Sequence, residues 1–225
     1  MIIEELFLFT NRLAEEKKFY AKILGFELVN ESASSFTVKA GISRLTFSES
    51  DKAHGYHYCF LIPSNQMESA ILWLSNRVEI LKIEVNRVIQ RWEEWNADSI
   101  YFLDASGNAV EFIVRHDLKN ETLESFDQHS IISVNEIGIP VRDVAGMNTQ
   151  LENHLGTKAW KGDMVSFGTN GNQNGLFLIP NYLERRTWSP VDLPIEPAPF
   201  SAIVSIGDMR YRLEVSEEQI GVEAL

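Results

Sequence analysis

The chain has 225 residues and a formal net charge of -12 at pH 7, with 44% hydrophobic and 23% charged residues. This is the composition of an ordinary globular protein, long enough for one large domain or two small ones. The acidic balance argues against a nucleic acid or an anionic membrane as a partner, because both are bound by clustered Lys and Arg.

The first fifty residues predict a strand, a helix and three further strands. Ile3 to Thr10 is rich in apolar and β-branched residues, and the acids within it favour a first strand over a signal peptide, so the predicted compartment is the cytoplasm. Thr10 or Asn11 can cap the helix that follows, and Gly25 is well placed to end it. The three short strands are predicted at Phe26 to Asn30, Ser35 to Ala40 and Ile42 to Ser48.

The same order of elements then repeats. Tyr56 to Ile62 predicts a strand, and Ser64 or Asn65 is predicted to cap the next helix. Val78 to Trp95 is interpreted as the end of that helix and one strand near Val88. A turn at Asp104 to Asn108 joins the last two strands of the repeat, which are predicted at Ser99 to Leu103 and Ala109 to Arg115.

The last third of the chain begins the pattern once more after a polar, acidic stretch. Ile131 to Pro140 predicts a strand, and Val144 to Leu155 predicts a helix that ends at Gly156. Shorter strands are predicted after it, two within Thr157 to Phe167 and others at Leu176 to Ile179, Ala202 to Ile206 and Tyr211 to Val215. The second half is therefore predicted to be a shortened copy of the first.

Two stretches resemble a known family. Lys18 to Phe26, KFYAKILGF, is similar to an "FY…LGF" signature that closes a first helix, and Tyr101 to Phe112, YFLDASGNAVEF, is similar to a "YF.DP.GN.vEF" hairpin. Both belong to the vicinal oxygen chelate superfamily, which includes glyoxalase I, bleomycin-binding proteins and extradiol dioxygenases. The resemblance covers roughly half the chain and implies an α+β fold of paired βαβββ modules in a curved mixed sheet. We predict a complete module pair at residues 1–118, a linker at 119–130 and a degenerate second half at 131–225.

The resemblance also implies a site for a divalent metal, with Mn, Fe, Ni and Zn as the candidates. Metal ligands of the family lie on the first strand of each module and on the last strand, which correspond here to Glu5, His57 and Glu111. Glu5 departs from the pattern, since the family usually has His at that position. Arg44 falls at a fourth position, where it stays protonated and is predicted to contact a substrate carboxylate instead of a metal.

Two functions follow from these residues. The first is a metal-dependent enzyme of the glyoxalase/dioxygenase class, a lyase or a dioxygenase, acting on a small oxygenated molecule with Glu111 or Glu5 as a candidate base. The alternative is a metal-free small-molecule binding protein of the bleomycin-resistance type. In it, His57 donates to a carboxylate and Arg44 neutralises one. A purely structural or regulatory role is the third hypothesis, and the chain is predicted to be a monomer or a homodimer.

Other residues are assigned simpler roles. Cys59, the single cysteine, excludes an intramolecular disulfide and is predicted to be an inert core thiol. Trp92 and Trp95 are expected in the core or in pocket walls. Arg185 and Arg186 are predicted to form a solvated pair beside a packed Trp188.

Overall fold

The computed structural model of the protein describes residues 1–190 and 193–225. Within these residues the chain forms one mixed sheet of fifteen strands, a separate two-stranded sheet and three α-helices. The helices are α1 Leu13–Lys18, α2 Met67–Ser75 and α3 Val144–Leu155. The strands are β1 Ile2–Thr10, β2 Leu28–Glu31, β3 Ser35–Ala40, β4 Ser43–Glu49, β5 His57–Leu61, β6 Gln90–Trp92, β7 Ala97–Leu103, β8 Ala109–Arg115, β9 Ser133–Gly138, β10 Ala159–Gly162, β11 Phe167–Asn172, β12 Gly175–Pro180, β13 Thr187–Trp188, β14 Leu193–Pro194, β15 Phe200–Ile206, β16 Met209–Ser216 and β17 Gln219–Ala224.

Three complete βαβββ modules follow one another along the chain. In each module the first strand pairs in parallel with the last, as β1 with β4, β5 with β8 and β9 with β12. The remaining strands of each module pair antiparallel. A meander of β15, β16 and β17 then completes the sheet. The predicted fold class of paired βαβββ modules is thereby confirmed, and the third module is complete rather than shortened.

The modules pair in an order different from the predicted one. The first strand of the second module, β5, pairs antiparallel with β9 of the third, and β1 pairs antiparallel with β15. Strand β9 therefore lies between β1 and β5, and it also touches β1 through the pair Ile3 and Val134. The sheet is continuous across residues 119–130, and the division into domains at that stretch stays a prediction.

Two predicted helix caps have other partners. The hydroxyl of Thr10 accepts a hydrogen bond from the amide of Arg12 at 2.9 Å, and α1 begins one residue later. The side chain of Asn65 bonds the backbone of Thr122 in both directions, at 2.9 and 3.2 Å. The amide of Ser64 donates to the Asn120 side chain at 2.9 Å. These residues fasten the predicted linker to the second module instead of capping α2.

The first sequence motif explains how α1 is held on the sheet. Past Lys18 the helix continues as one wider turn, and its Phe19 and Tyr20 are buried. The Tyr20 hydroxyl donates to that of Tyr58, because the Tyr58 hydroxyl donates its own hydrogen to Asp104 at 2.7 Å. Gly25 ends the segment with a φ of +75°, which is the left-handed conformation that glycine adopts without strain.

A second buried acid joins this cluster from the same helix. Glu16 is fully buried, and its Oε1 accepts a hydrogen bond from the amide of Ser106 at 2.7 Å. Burial, reinforced by the charge of Asp104, raises the pKa of Glu16 to about 9. The first module is thus fastened to the β7–β8 turn of the second by a protonated carboxyl group.

No helix in the described ranges has both the length and the apolar character needed to span a bilayer.

Candidate functional site

Three neighbouring strands bring one histidine and two glutamates together. On the second module, Cys59 of β5 stands opposite Glu111 of β8 on one side and Glu136 of β9 on the other. His57 lies two residues before Cys59 and therefore faces the same side of the sheet. Each of His57, Glu111 and Glu136 offers a ligand atom, and these atoms lie within 4.8 Å of one another. All three residues are buried.

The hydrogen bonds of His57 fix its orientation. Its Nδ1 is 3.0 Å from the carbonyl oxygen of Ala109, and because a carbonyl only accepts, Nδ1 carries the proton. The other nitrogen, Nε2, is 3.4 Å from Oε2 of Glu111. Burial lowers the pKa of His57, but the hydrogen bond and charge of Glu111 outweigh it and the pKa is raised overall. Nε2 therefore points at the carboxylate cluster.

A buried arginine accompanies Glu136. The guanidinium of Arg115 donates through Nη2 to Oε1 of Glu136 and through Nε to Oδ1 of Asn135, the latter at 3.0 Å. Burial raises the pKa of Glu136 to about 7, an effect that Arg115 opposes and the nearby Glu111 reinforces. Arg115 is 0% exposed, which is rare for this residue type without a paired acid.

The three residues form the floor of a cavity of about 570 Å³. Its walls are largely aromatic, and they include Trp92, Trp95, Tyr101, Phe167 and Trp188. The ring of Trp188 lies against His57, with centroids 4.8 Å apart. A Cβ on Gly138 would lie 2.5 Å from Cη2 of Trp188, so this close approach requires a glycine on β9.

The structure brings together two of the three predicted ligands and separates the third. His57 and Glu111 share the floor, whereas Glu5 stands opposite Arg44 on β4 and is bound to it at 3.2 Å. Glu5 and Arg44 line other cavities, on the first module, and the Arg44 side chain is 56% exposed. The third acid near His57 is Glu136, because β9, and not β1, is the antiparallel neighbour of β5.

Other residues singled out in the sequence lie in or next to the cavity. Cys59 is fully buried, and burial followed by the charges of Glu111 and Glu136 raises the pKa of its thiol well above the usual value. Trp92 and Trp95 line the cavity. Arg185 and Arg186 are exposed and Trp188 is buried, as predicted, and Arg185 also lines the cavity and lies over the ring of Phe167 at 5.0 Å.

The sequence held a signal for Glu136 that was not used. The family pattern places a ligand on the first strand of each module, and Glu136 is the single acid of the first strand of the third module, Ser133–Gly138. If the first module pairs with the second, the same rule places this ligand at Glu5 instead. Arg115 was missed because it was read only as the end of a strand.

Comparisons with known proteins rest on structure. No family model matches the sequence, and no curated protein matches it. A Bacillus subtilis strain 168 protein described provisionally as a dioxygenase has a TM-score of 0.61 at 14% identity, covering 100% of this chain and 84% of that one. Lactoylglutathione lyase from Agrobacterium tumefaciens has a TM-score of 0.40 at 19% identity, over 50% of this chain and 92% of that one. A glyoxalase/bleomycin resistance protein/dioxygenase from Alicyclobacillus acidocaldarius has a TM-score of 0.42 at 17% identity, over 52% and 94%. The chain therefore shares the fold of the Bacillus subtilis protein along its whole length, in keeping with the fold that the resemblance of its two sequence motifs implied.

Proposed function

We propose that the protein is a metal-dependent enzyme of the glyoxalase/dioxygenase class that acts on a small oxygenated molecule. Its metal ligands would be His57, Glu111 and Glu136. The observation that supports this most directly is the convergence of three buried ligand atoms, within 4.8 Å of one another, on the floor of a cavity. Of the predicted set, His57 and Glu111 are retained and Glu5 is replaced.

The donor set fits a divalent transition metal. One imidazole and two carboxylates are the ligand types that Mn, Fe, Ni and Zn accept, and three protein ligands leave positions for other oxygens. With His57 neutral and both glutamates ionised, which are the forms that bind a metal, the two carboxylates and Arg115 give the buried floor a net charge of -1. Burying an uncompensated charge is costly, so a cation there lowers the free energy of the folded state.

The surrounding residues would prepare the ligands for this role. The Ala109 carbonyl fixes the tautomer of His57, so that Nε2 offers its lone pair to the floor. Arg115 donates a hydrogen bond to Oε1 of Glu136, which leaves Oε2 as the carboxylate oxygen available to a metal. A bound metal would supply Lewis-acid polarisation and a template for two neighbouring ligand oxygens. Leu178, from the last strand of the third module, contributes only an apolar wall.

The cavity walls indicate what kind of molecule enters. About 570 Å³ accommodates a compact organic ligand, and the tryptophan, tyrosine and phenylalanine rings favour an apolar or planar body. The oxygenated end of such a ligand would lie at the polar floor. Substrate recognition is thus divided between ring contacts on the walls and oxygen contacts below.

A metal-free binding protein is the second candidate, and one observation favours it. His57 with Glu111 and Arg115 with Glu136 form two buried pairs. If His57 is protonated, each pair consists of one cation and one anion and is neutral in itself, so no metal is needed to balance the charge. This is the satisfied polar floor expected of a binding pocket, with Arg115 in the neutralising role that was predicted for Arg44.

Metal content distinguishes the two candidates. Protein purified without chelator should contain about one transition metal per chain, and added Mn, Fe, Ni or Zn should raise the melting temperature of the stripped protein. Glu136→Gln should remove most of that shift. Glu5→Gln is the matched control, because it makes the same change on the first strand of another module, and it should leave the shift intact. A shift lost only in Glu5→Gln would refute the assignment.

The binding-protein candidate has its own outcome. If no metal binds and aromatic ligands stabilise the protein equally with and without EDTA, the floor is a metal-free polar pocket.

A further inference from the structure

We infer that Arg115 makes this cavity selective for a ligand that carries one negative charge on the oxygens it presents to the floor. The inference rests on the proposed metal site and concerns which ligands that site accepts. Arg115 would act as a specificity-determining residue that does not itself touch the metal.

The position of Arg115 is rigidly defined. Its side chain is 0% exposed, and two of its nitrogens are held by Asn135 and Glu136 of β9. Its guanidinium carbon lies 5.6 Å from the ring centroid of Trp95 and 5.5 Å from that of Trp160. Such an arrangement favours a cation through the electron-rich ring faces. The guanidinium can therefore neither turn away from Glu136 nor lose its charge, and it lies behind that floor residue without lining the cavity itself.

The charge of Arg115 is not fully satisfied. Its Nη1 is buried and has no hydrogen-bond partner among residues 1–190 and 193–225. Glu136 is its one ion-pair partner in those residues, and that carboxylate is also a member of the ligand set. A residue that neutralised Glu136 for structural reasons alone would leave the floor with less capacity to hold a metal. Once a divalent metal is bound by the ligand set, this pair leaves the floor with excess positive charge.

The charge count makes this explicit. A divalent metal with neutral His57 and two glutamates has a net charge of zero. Arg115 adds one positive charge, so the loaded floor has a net charge of +1. A monoanionic oxygen ligand brings the floor to neutrality, whereas a neutral ligand leaves a buried charge uncompensated. A dianionic ligand changes the net charge of the loaded floor from +1 to -1.

Charges at the cavity mouth do not alter this balance. The charged residues lining the mouth are all exposed, and they are Arg91, Glu93, Glu94, Asp163 and Arg185. Water and salt screen exposed charges, while Arg115 lies out of reach of both. Asp163 is further engaged by the amides of Val165 and Ser166, at 2.8 and 2.7 Å. The buried guanidinium therefore affects the electrostatic potential at the floor more strongly than these exposed charges do.

Small probe ligands can test the inference on the full-length, metal-loaded protein. We would load the protein with Co²⁺ and titrate azide, a monoanion, and imidazole, a neutral donor, while following the visible absorbance of the metal. Arg115→Met, which removes the charge but keeps much of the length, should weaken azide binding by roughly tenfold or more, since a unit charge is lost in a medium of low dielectric. Imidazole binding should change little.

Three comparisons separate charge from packing. Arg115→Lys keeps the charge and should retain most of the preference for azide. Asn135→Asp leaves Arg115 in place but adds a neutralising acid beside it, and should weaken azide binding as Arg115→Met does. Arg44→Met makes the same substitution on the first module and should have no effect.

Each outcome decides one question. Equal weakening of azide and imidazole in Arg115→Met and Asn135→Asp would overturn the inference and leave Arg115 a purely structural residue. If the Arg115 variants do not fold, Asn135→Asp decides alone, and an unchanged ratio of azide to imidazole affinity there overturns it. If the unmodified protein takes up no Co²⁺, the proposed metal site itself fails, which is a different result from metal binding without anion preference.

Discussion

Replacing Glu16 with glutamine should remove much of the pH dependence of folding stability. Glu16 is fully buried beneath α1, and it is protonated at neutral pH because burial and Asp104 raise its pKa. Asp104 accepts hydrogen bonds from Tyr58 and from the backbone and side chain of Asn108, so Glu16 is the member of the pair that keeps the proton. Glutamine has the shape of the neutral acid and can make the same contacts.

The magnitude follows from the two pKa values. The ordinary pKa of the carboxyl is 4.5, and the folded value is about 9. Between them the folded protein keeps a proton that the unfolded chain has released, so the free energy of unfolding falls as the pH rises. One proton corresponds to about 1.4 kcal/mol per pH unit, so the loss from about pH 6.5 to 8.5 reaches roughly 2.7 kcal/mol. Above about pH 9 the contribution is exhausted.

Urea unfolding at several pH values measures this slope. The free energy of unfolding of Glu16→Gln should fall less steeply with pH than that of the unmodified protein, by up to about 1.4 kcal/mol per pH unit. The two proteins should have similar stability only at or below about pH 4.5, the ordinary pKa of the carboxyl, and above it the variant should be the more stable. Glu15→Gln is the control, because it makes the identical change one residue away on the exposed side of α1. The reasoning is refuted if Glu16→Gln keeps the original slope, or if Glu15→Gln flattens it equally.

Three further results are expected. Gly138→Ala places a methyl group 2.5 Å from Trp188 and should cost about 1–3 kcal/mol and change the tryptophan fluorescence, whereas Gly221→Ala, with open space around it, should do neither. Gly41→Ala combines a φ of +63° with a Cβ 2.1 Å from the Ile132 carbonyl oxygen and should lower the melting temperature much more than Gly107→Ala, where φ is +85° but the space is free. In metal-free protein, NMR titration should find the pKa of His57 above 6.5 and lower in Glu111→Gln, so the stabilisation from this imidazolium is present at acidic pH and lost as the pH rises through the folded pKa. A pKa of His57 that is indifferent to Glu111 would contradict the last of these.

Local patterns in the sequence predicted most of the elements. The helix from Val144 to Leu155 was predicted with its observed bounds, because its apolar spacing and the terminating Gly156 are local features. The β7–β8 hairpin followed from its turn residues in the same way. The predictions were less accurate where a side chain binds the backbone of a residue far away in the sequence. Asn65, for example, was predicted to cap a helix but donates to the carbonyl oxygen of Thr122.

The site was only partly predictable for a related reason. His57 and Glu111 belong to adjacent strands of one module, so the module pattern alone places them together. The third acid depends on which module packs against β5, and strand alternation within Ile2–Thr10 and Ser133–Gly138 offers acids on both candidates. The choice between Glu5 and Glu136 is made by long-range strand pairing, about which local spacing carries no information. Arg115 was read only as the end of a strand because the residues that bind it there, Asn135 and Glu136, belong to the third module.

The strand pairing has a consequence for how the molecule assembles. The cavity lies in the second and third modules, which follow one another in the sequence. The pairing of β5 with β9 therefore joins segments that are synthesised in close succession. The strands β1 and β15 lie before and after that unit in the sequence, so their pairing closes a loop of nearly the whole polypeptide. Long loops close slowly because of their entropy, so the pair β5–β9 should form before the pair β1–β15, although the first module can pair its own strands β1 and β4 locally. The aromatic cavity would then take shape before β1 pairs with its distant neighbour β15.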